Sequence, residues 1–343
     1  MILSGFPRFI RCKASPFSPN LKQPRYKNLQ FLSYSTHPHC SISCLSTNPS
    51  KPIYSATVSD LKKWEDWAKT LVYSVGSKFM ETDNGPEVNT LCREIQWLLQ
   101  DVVVEEDQRV EGVVKLRTEM DQLYILWNQR IEKRRPFQYI VGCEHWRDLV
   151  LCVQDGVLIP RPETEKIVEL VEEVVRKDEG LREGLWSDLG TGSGALAIAI
   201  GKVLGVGGNV IATDLSPVAA SVAEFNVRRY GLQDKVEIRQ GSWLEPLEDA
   251  KGKLAGLVSN PPYIPSGQIS GLQAEGMDDL LHLCEGAASM LKPGGFFAFE
   301  TNGEIQSKFL VNFMLNHPKS MFQDVRIVAD FAGMKRFVTG FCQ

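Results

Sequence analysis

The alternation of apolar runs and helical patterns beyond residue 185 constrains the fold more than any other feature of the sequence. Strands joined by crossover helices build a parallel sheet with helices on both faces. Strands are predicted at 185–189, 209–213, 235–239, 254–258 and 296–300, and helices at 195–204, 217–230, 277–291 and 304–315. The runs 325–329 and 336–341 predict a terminal antiparallel hairpin. The expected fold class is therefore α/β, with a mostly parallel seven-stranded sheet.

The region before this sheet shows helical periodicity alone. Apolar side chains recur at helical spacing from Leu61 to Val75, from Val88 to Leu98, and within a third stretch near 108–134. Residues 57–134 are therefore predicted to form a small all-α domain. Residues 135–158 are predicted to be a linker with a short β-hairpin, with 137–142 and 149–153 extended, and 159–343 the α/β domain.

The first residues have a composition of their own. The first 59 contain no acidic residue, seven Lys or Arg and eleven Ser, with prolines that preclude a long helix. This composition is typical of an organelle transit peptide, predicted over residues 1–56, and lacks the apolar core of a secretory signal. A disordered tail without a targeting role is the alternative. The abundance of serine and proline favours a chloroplast over a mitochondrial destination.

The charge of the remaining chain restricts its partners. All 42 acidic residues follow this stretch but only 31 of the 38 basic ones do, so the remainder carries a formal charge of about −11. Strong nucleic-acid binding is therefore not expected, because it depends on Lys and Arg. No apolar run is long enough for a membrane span. The cysteines and histidines lack metal-ligand spacing, so no structural metal is predicted.

A glycine-rich run closes the first strand of the predicted sheet. It reads Asp188-Leu-Gly190-Thr191-Gly192-Ser193-Gly194 and opens the following helix. Glycines let a backbone turn pass close to a ligand, and a helix N-terminus favours polar or anionic groups. The spacing also satisfies the dinucleotide fingerprint in its Gly/Ala form, so a dehydrogenase stays open at this point.

A carboxylate ends the second strand. Asp214 follows Gly190 by 24 residues, and a carboxylate there can accept both ribose hydroxyls of a nucleoside. An N-cap role is the alternative, because Ser216-Pro217 begins a helix directly after it.

The tetrapeptide Asn260-Pro261-Pro262-Tyr263 leaves the fourth strand. Two prolines stop ladder pairing and make the exit rigid, which holds the amide of Asn260 in one place. Such an amide can fix a planar amino group while it is attacked, whereas a dehydrogenase has no need of it. An ordinary turn is the alternative for the motif.

These residues resemble the class I S-adenosylmethionine-dependent methyltransferases, whose fold is Rossmann-like. More specifically, residues 134–341 resemble the HemK-type family of release-factor glutamine N5-methyltransferases. The motifs that carry the resemblance are 135–142, Ile159-Pro-Arg-Pro-Glu-Thr164, 188–194, Ser259 to Tyr263, and Arg336-Phe-Val-Thr-Gly340. The helical region fits the family's amino-terminal substrate-recognition domain by its arrangement.

The resemblance implies a substrate, a cofactor and a set of site residues. The substrate would be the glutamine amide in the Gly-Gly-Gln loop of an organellar release factor, and the enzyme would act as a monomer. Asp188 would bind S-adenosylmethionine, and its methionine part would be surrounded by Gly190, Thr191, Gly192, Ser193 and Gly194. Asp214 would hold the ribose, and Trp243 would lie beside the adenine. Asn260 and Pro261 would accept the amide hydrogens, and Tyr263 would form an aromatic wall beside Pro262. Ordinary packing remains the alternative for Trp243 and Tyr263.

One segment departs from the family pattern. Residues 264–275, between the tetrapeptide and the next helix, are fewer than the family usually has there. Loops at this position commonly form substrate lids, so capture and water exclusion would suffer more than the core. Two alternatives stay open: an N6-adenine methyltransferase, because adenine presents the same amino geometry, and a weakly active or non-catalytic release-factor binder.

Overall fold

The computed structural model describes residues 53–76, 78–83, 85–104, 112–262, 278–316 and 321–343. Nearly all of the predicted transit peptide, Tyr263 and the segment 264–275 lie outside these ranges. No helix in the described part of the chain combines the length and apolar composition that crossing a membrane requires.

Helices dominate the amino-terminal region, as expected. They are α1 (Val58–Val75), α2 (Lys78–Asp83), α3 (Val88–Val102) and α4 (Met120–Ile131). Thr57 caps α1 through its side chain, which accepts the Asp60 N–H. The expectation of an all-helical region is wrong in one respect: β1 (Tyr54–Thr57) pairs with β2 (Val113–Leu116). The third helix therefore begins at Met120 and not near 108.

The core of this region is built from the helical stripes that the sequence shows. Trp64, Leu91, Leu98 and Trp127 are fully buried. The two tryptophan rings meet edge to face at 6.3 Å between centroids, a favourable aromatic geometry. The stripes are packing surfaces.

A short helix and a hairpin connect the two regions. The helix α5 (Phe137–Val141) corrects the prediction that 137–142 is extended. Pro136 supplies the N-cap position and Gly142, at φ +76°, ends the helix after one turn, while Ile140 and Val141 face the core. The expected hairpin follows as β3 (Cys143–Trp146) and β4 (Leu149–Cys152).

The seven-stranded sheet is confirmed. Its strands are β5 (Leu185–Leu189), β6 (Asn209–Asp214), β7 (Val236–Gln240), β8 (Leu254–Ser259), β9 (Leu291–Glu300), β10 (Phe322–Ala329) and β11 (Lys335–Cys342). The order is β10-β11-β9-β8-β5-β6-β7, and only the pairings of β11 are antiparallel. Strand β9 starts at Leu291, earlier than the predicted Phe296, because 292–295 form an irregularity in its register with β8.

Helices cover both faces of the sheet. They are α6 (Glu165–Lys177), α7 (Glu179–Arg182), α8 (Ala195–Val203), α9 (Pro217–Arg229), α10 (Asp278–Met290) and α11 (Glu304–Asn316). One buried cluster holds the apolar faces of α6 and α8, and a second holds those of α10 and α11.

The strand order reverses around β5, which lies between β6 and β8. Ligands of open α/β sheets bind at such a switch point, beyond the carboxyl ends of the strands. Leu189 pairs with Ser259, so the glycine run and the tetrapeptide leave the sheet side by side.

Candidate functional site

A cavity of about 630 Å³ opens at the carboxyl ends of β5, β6 and β8. Seven residues predicted from the sequence line it: Gly190, Gly192, Asp214, Trp243, Asn260, Pro261 and Pro262. Further lining residues come from the segment before α6 and from the start of α9: Gly156, Leu158, Arg161, Leu215, Ser216 and Ala219. The structure therefore brings the glycine run and the tetrapeptide together around one space.

The glycine run reaches the cavity through a tight turn. The N–H groups of Gly190 and Thr191 both donate to the Thr213 carbonyl at 2.9 Å, which folds the run over the end of β6. Gly192 stands at φ +56°, and no atom lies within 4 Å of the position a Cβ would occupy. This position is open towards the cavity, so glycine leaves room for a ligand there.

Other members of the run lie beneath the cavity and do not line it. Ser193 is buried, and its carbonyl accepts a hydrogen bond from Asn226 Nδ2 at 2.8 Å. Gly194, at φ +83°, lets α8 approach α9, since a Cβ there would stand 3.3 Å from Ala223. These two residues shape the run, and their predicted contact with the cofactor stays a prediction.

Asp188 and Thr191 form a buried pair under the run. Asp188 Oδ2 accepts from Thr191 Oγ1 at 2.6 Å and from the Ala197 N–H at 3.1 Å. Within the described part of the chain Asp188 Oδ1 has no hydrogen-bond partner. Burial raises the pKa of Asp188 to about 7, against the two hydrogen bonds, and the charge of Asp214 adds to the rise. A cationic ligand group nearby would stabilise the ionised carboxylate.

Asp214 faces the cavity from the end of β6. Its Oδ2 accepts from the Gly192 N–H at 2.8 Å and its Oδ1 accepts from the Ser216 N–H at 2.9 Å. The N-cap of α9 is Ser216, whose hydroxyl accepts from the Ala219 N–H. The alternative N-cap role of Asp214 is therefore not observed. Each carboxylate oxygen retains acceptor capacity for a ligand hydroxyl.

Trp243 forms one wall of the cavity. It has a left-handed backbone at φ +44°, which is rare for a bulky residue, and its carbonyl accepts from Thr213 Oγ1 at 2.9 Å. A Cβ on Gly190 would stand 3.6 Å from the indole, so the ring lies directly against the glycine run. The ring also packs against the second core cluster. The two interpretations of Trp243, cavity wall and core aromatic, are compatible.

Asn260 is held by a residue outside the tetrapeptide. Its Nδ2 donates to Thr164 Oγ1 at 3.0 Å, and Thr164 in turn donates to Glu300 Oε2 at 2.7 Å. The side-chain oxygen of Asn260, Oδ1, therefore remains to accept a hydrogen bond from a ligand. Pro261 is buried and Pro262 is exposed, whereas Tyr263 falls outside the described residues.

Sequence reasoning assigned no role to Thr164 or Glu300. Thr164 closes the motif that begins at Ile159, and Glu300 is an acid at the end of an apolar strand. An acidic residue in that position was the available signal, because a buried carboxylate needs hydrogen-bond donors.

Comparison with known proteins places the chain in a family. The model of the methyltransferase small domain matches residues 169–335. A release factor glutamine methyltransferase of Gloeobacter violaceus is 37% identical over 265 residues, which cover 72% of this chain and 90% of that protein. The chain belongs to the release factor glutamine methyltransferase family. The family member of Thermosynechococcus vestitus is 30% identical over 301 residues, covering 81% of this chain and 97% of that protein.

Solved structures are less similar to this chain in sequence than these two relatives are. The N-terminal domain of human METTL16 in complex with SAH aligns over 77% of this chain and 97% of that chain, at 16% identity and a TM-score of 0.45. A methyltransferase from Pyrococcus furiosus aligns over 64% of this chain and 97% of that chain, at 21% identity and a TM-score of 0.43.

Membership of this family makes S-adenosylmethionine the cofactor, and the cavity fits it. The space above Gly192 is open, Asp214 offers carboxylate oxygens, and Asp188 has a buried oxygen without a partner among the described residues. These carboxylates suit a ligand that carries hydroxyl groups and positive charge. The individual assignments, from Asp188 to Trp243, stay predictions.

Proposed function

We propose that this protein methylates the side-chain amide nitrogen of the glutamine in the Gly-Gly-Gln loop of an organellar peptide chain release factor. The observation that carries the proposal is the geometry of Asn260 in a member of this family. Its amide is fixed by Thr164 at the edge of the cavity, beside the glycine run.

Methyl transfer to an amide requires the enzyme to align the substrate nitrogen with the methyl group more than to activate either reactant. An amide nitrogen is a weak nucleophile because its lone pair is delocalised into the carbonyl, and S-adenosylmethionine supplies a strongly electrophilic sulfonium methyl. Asn260 Oδ1 and the Pro261 carbonyl oxygen each accept a hydrogen bond from one N–H of the substrate amide and thereby orient its nitrogen. Transfer would break the bond between the methyl group and sulfur, release the neutral thioether and give an N-protonated methylamide cation. This cation is very acidic, so it would lose its proton to water without a dedicated base.

Methyl transfer from labelled S-adenosylmethionine to a recombinant organellar release factor tests the proposal. We expect the factor to be labelled, and we expect the label to disappear when the glutamine of its Gly-Gly-Gln loop is replaced by alanine. Labelling of nucleic acid instead of the factor would favour the N6-adenine alternative, which the acidic charge of the chain disfavours. Tight binding without labelling would favour the non-catalytic binder.

Replacement of Asn260 gives the first prediction. Asn260→Ala should retain affinity for S-adenosylmethionine within about tenfold, or about 1.4 kcal/mol, while the rate of methyl transfer falls much further. The reason is that Asn260 orients the acceptor, and it is one of many residues that line the cavity. Calorimetry gives the affinity and single-turnover kinetics gives the rate. Equal losses in both quantities would contradict the positioning role.

The same proposal includes a compartment and a recognition domain. Residues 1–56 direct the protein to the chloroplast, supported by a composition that is basic, rich in serine and free of acid. The helical region 57–134 contacts the release factor, and the enzyme acts as a monomer. A fluorescent reporter fused to residues 1–56 should enter chloroplasts. Entry into mitochondria would support the alternative address, and a cytosolic reporter would exclude both.

A further inference from the structure

A chain of two hydrogen bonds runs from the cavity into the core. Asn260 Nδ2 donates to Thr164 Oγ1 at 3.0 Å, and Thr164 Oγ1 donates to Glu300 Oε2 at 2.7 Å. Thr164 is 4% exposed and Glu300 is fully buried, so water does not compete for the bond between them. The chain connects three elements: the exit of β8, the turn before α6 and the end of β9.

The chain has a direction because a hydroxyl group carries one proton. Thr164 Oγ1 donates its one proton to Glu300 Oε2, the arrangement that an ionised carboxylate, which can only accept, requires. The remaining lone pairs of Thr164 Oγ1 can only accept from Asn260, which requires the NH₂ end of the amide and not its oxygen. The orientation of the Asn260 amide, often ambiguous, is therefore determined by the buried carboxylate.

We infer that Thr164 and Glu300 are positioning residues that turn Asn260 Oδ1 towards the acceptor amide. The inference rests on the proposed function, because it takes an N–H group as the partner of that oxygen. An amide turned by 180° would present Nδ2 to the substrate, where two donors face each other. Neither Thr164 nor Glu300 is among the residues that line the cavity, so both act through Asn260.

Motifs that had no assigned role hold Thr164 in place. The turn of 162–164 begins with Pro162, which favours a helical start. Before it, the Arg161 carbonyl accepts from Trp146 Nε1 at 2.8 Å, which ties the turn to the hairpin. Within the turn, Glu163 Oε1 lies 3.7 Å from Nη1 of Arg336 in the terminal motif. The motifs at 159–164 and 336–340 therefore meet around the positioning residue.

Three variants test the inference by kinetics. Thr164→Val keeps the shape and removes the hydroxyl, and we expect kcat for methyl transfer to fall about tenfold or more while the affinity for S-adenosylmethionine stays the same. Thr164→Ser restores the hydroxyl and should stay within about threefold of the wild type. Thr339→Val is the matched control, a buried threonine on β11 outside the cavity, and should leave kcat unchanged. A serine variant as slow as the valine variant would overturn the inference.

A double-mutant cycle separates positioning from general damage. If Thr164 acts only through Asn260, Thr164→Val added to Asn260→Ala should cause no further loss of rate. Additive losses would show that Thr164 works independently and would overturn the inference.

The Asn260 amide also provides a readout that needs no activity. Its two side-chain N–H signals, assigned by their disappearance in Asn260→Ala, should shift and exchange faster in Thr164→Val but not in Thr339→Val. Glu300→Gln serves if Thr164→Val fails to fold: glutamine can also donate to Thr164, so both orientations and two sets of Asn260 signals are expected. Unchanged Asn260 signals in both variants would overturn the inference. A wild-type enzyme that shows these spectra yet labels no release factor would refute the proposed function and leave the hydrogen-bond chain intact.

Discussion

Gly192 is the residue where backbone conformation and ligand space coincide. A non-glycine residue at its φ of +56° costs about 1 kcal/mol, and its Cβ would enter the cavity. Gly252 has a similar φ of +68° and open space around it, but it lies in a surface turn before β8.

We expect Gly192→Ala and Gly252→Ala to lower the free energy of unfolding by similar amounts, about 1 kcal/mol. Only Gly192→Ala should weaken S-adenosylmethionine binding, by tenfold or more, because its methyl group occupies ligand space. Urea unfolding and calorimetry measure the two quantities. Matching cofactor affinities in the two variants would show that the run does not contact the ligand.

We predict that Asp188 makes both the stability of the protein and its affinity for the cofactor depend on pH. Its pKa rises from 3.8 in the unfolded chain to about 7 in the folded protein, so the folded state holds a proton that the unfolded state releases. The stability that this group contributes is present below pH 4 and is lost as the pH rises towards 7, by at most about 1.4 kcal/mol per pH unit.

Asp188→Asn should therefore stabilise the ligand-free protein, and more so at pH 8 than at pH 5. Thermal unfolding at the two pH values measures the effect. In the wild type, affinity for the cationic cofactor should increase as the pH rises through about 7, and this increase should vanish in Asp188→Asn. A pH-independent difference in melting temperature would contradict the raised pKa.

The sequence predicted those cavity residues that belong to short, contiguous motifs. Asp214 ends a strand, Gly192 and Asn260 lie just beyond strand ends, and the switch-point rule places such ends together. Thr164 and Glu300 escaped because their roles depend on a contact across 136 residues, and no local pattern encodes such a distance.

Among the elements, α9 both covers the sheet and hydrogen-bonds the backbone of β4. The outer edge of β4 carries backbone groups that no strand in the described part of the chain pairs, and side chains of α9 and its C-cap Tyr230 satisfy them. Asn226 accepts from the Cys152 N–H and donates to the Cys152 carbonyl, at 2.8 and 3.0 Å, and Tyr230 Oη exchanges hydrogen bonds with Val150 in the same way. An edge covered in this manner cannot pair with another chain.

Asn226 also reaches the glycine run, so its loss should affect both hairpin and cavity. Asn226→Leu leaves buried backbone groups at Cys152 and Ser193 without partners and should cost about 2–5 kcal/mol in urea unfolding. Asn209→Ala is the control, an exposed amide with a single local hydrogen bond, and should cost under about 0.5 kcal/mol. Comparable costs for the two variants would show that the edge is satisfied in some other way.

Elements were predicted well where periodicity alone decides them. Strand β5 has the expected bounds, and α8, α9 and β8 differ by a single residue. The errors fall where contacts between distant residues override the local pattern. Strands β1 and β2 are short and form by pairing with each other, and α5 is a single turn bounded by Pro136 and Gly142.

At the scale of the molecule, β11 is the strand that completes the sheet. It lies between β9 and β10, and its Val338 is fully buried, whereas Val325 on the edge strand β10 is partly exposed. Val338→Asp should lower the free energy of unfolding by more than about 4 kcal/mol, because it buries an unpaired charge. Val325→Asp should cost clearly less. Urea unfolding of the two variants measures the losses in free energy of unfolding, and soluble yield is a second measure. Equal losses would refute this ranking.

The position of β11 also orders the events of biosynthesis. A ribosome delivers β10 before β11, yet among the described strands β10 pairs with β11 alone. The outer edge of β9 pairs with the same strand. Until those residues emerge, the nascent chain carries an open edge with Phe297 and Phe299 beside it, a natural target for chaperones. Because β11 is the neighbour of both strands, neither β10 nor the outer edge of β9 gains its described partner until residues 335–342 have been synthesised.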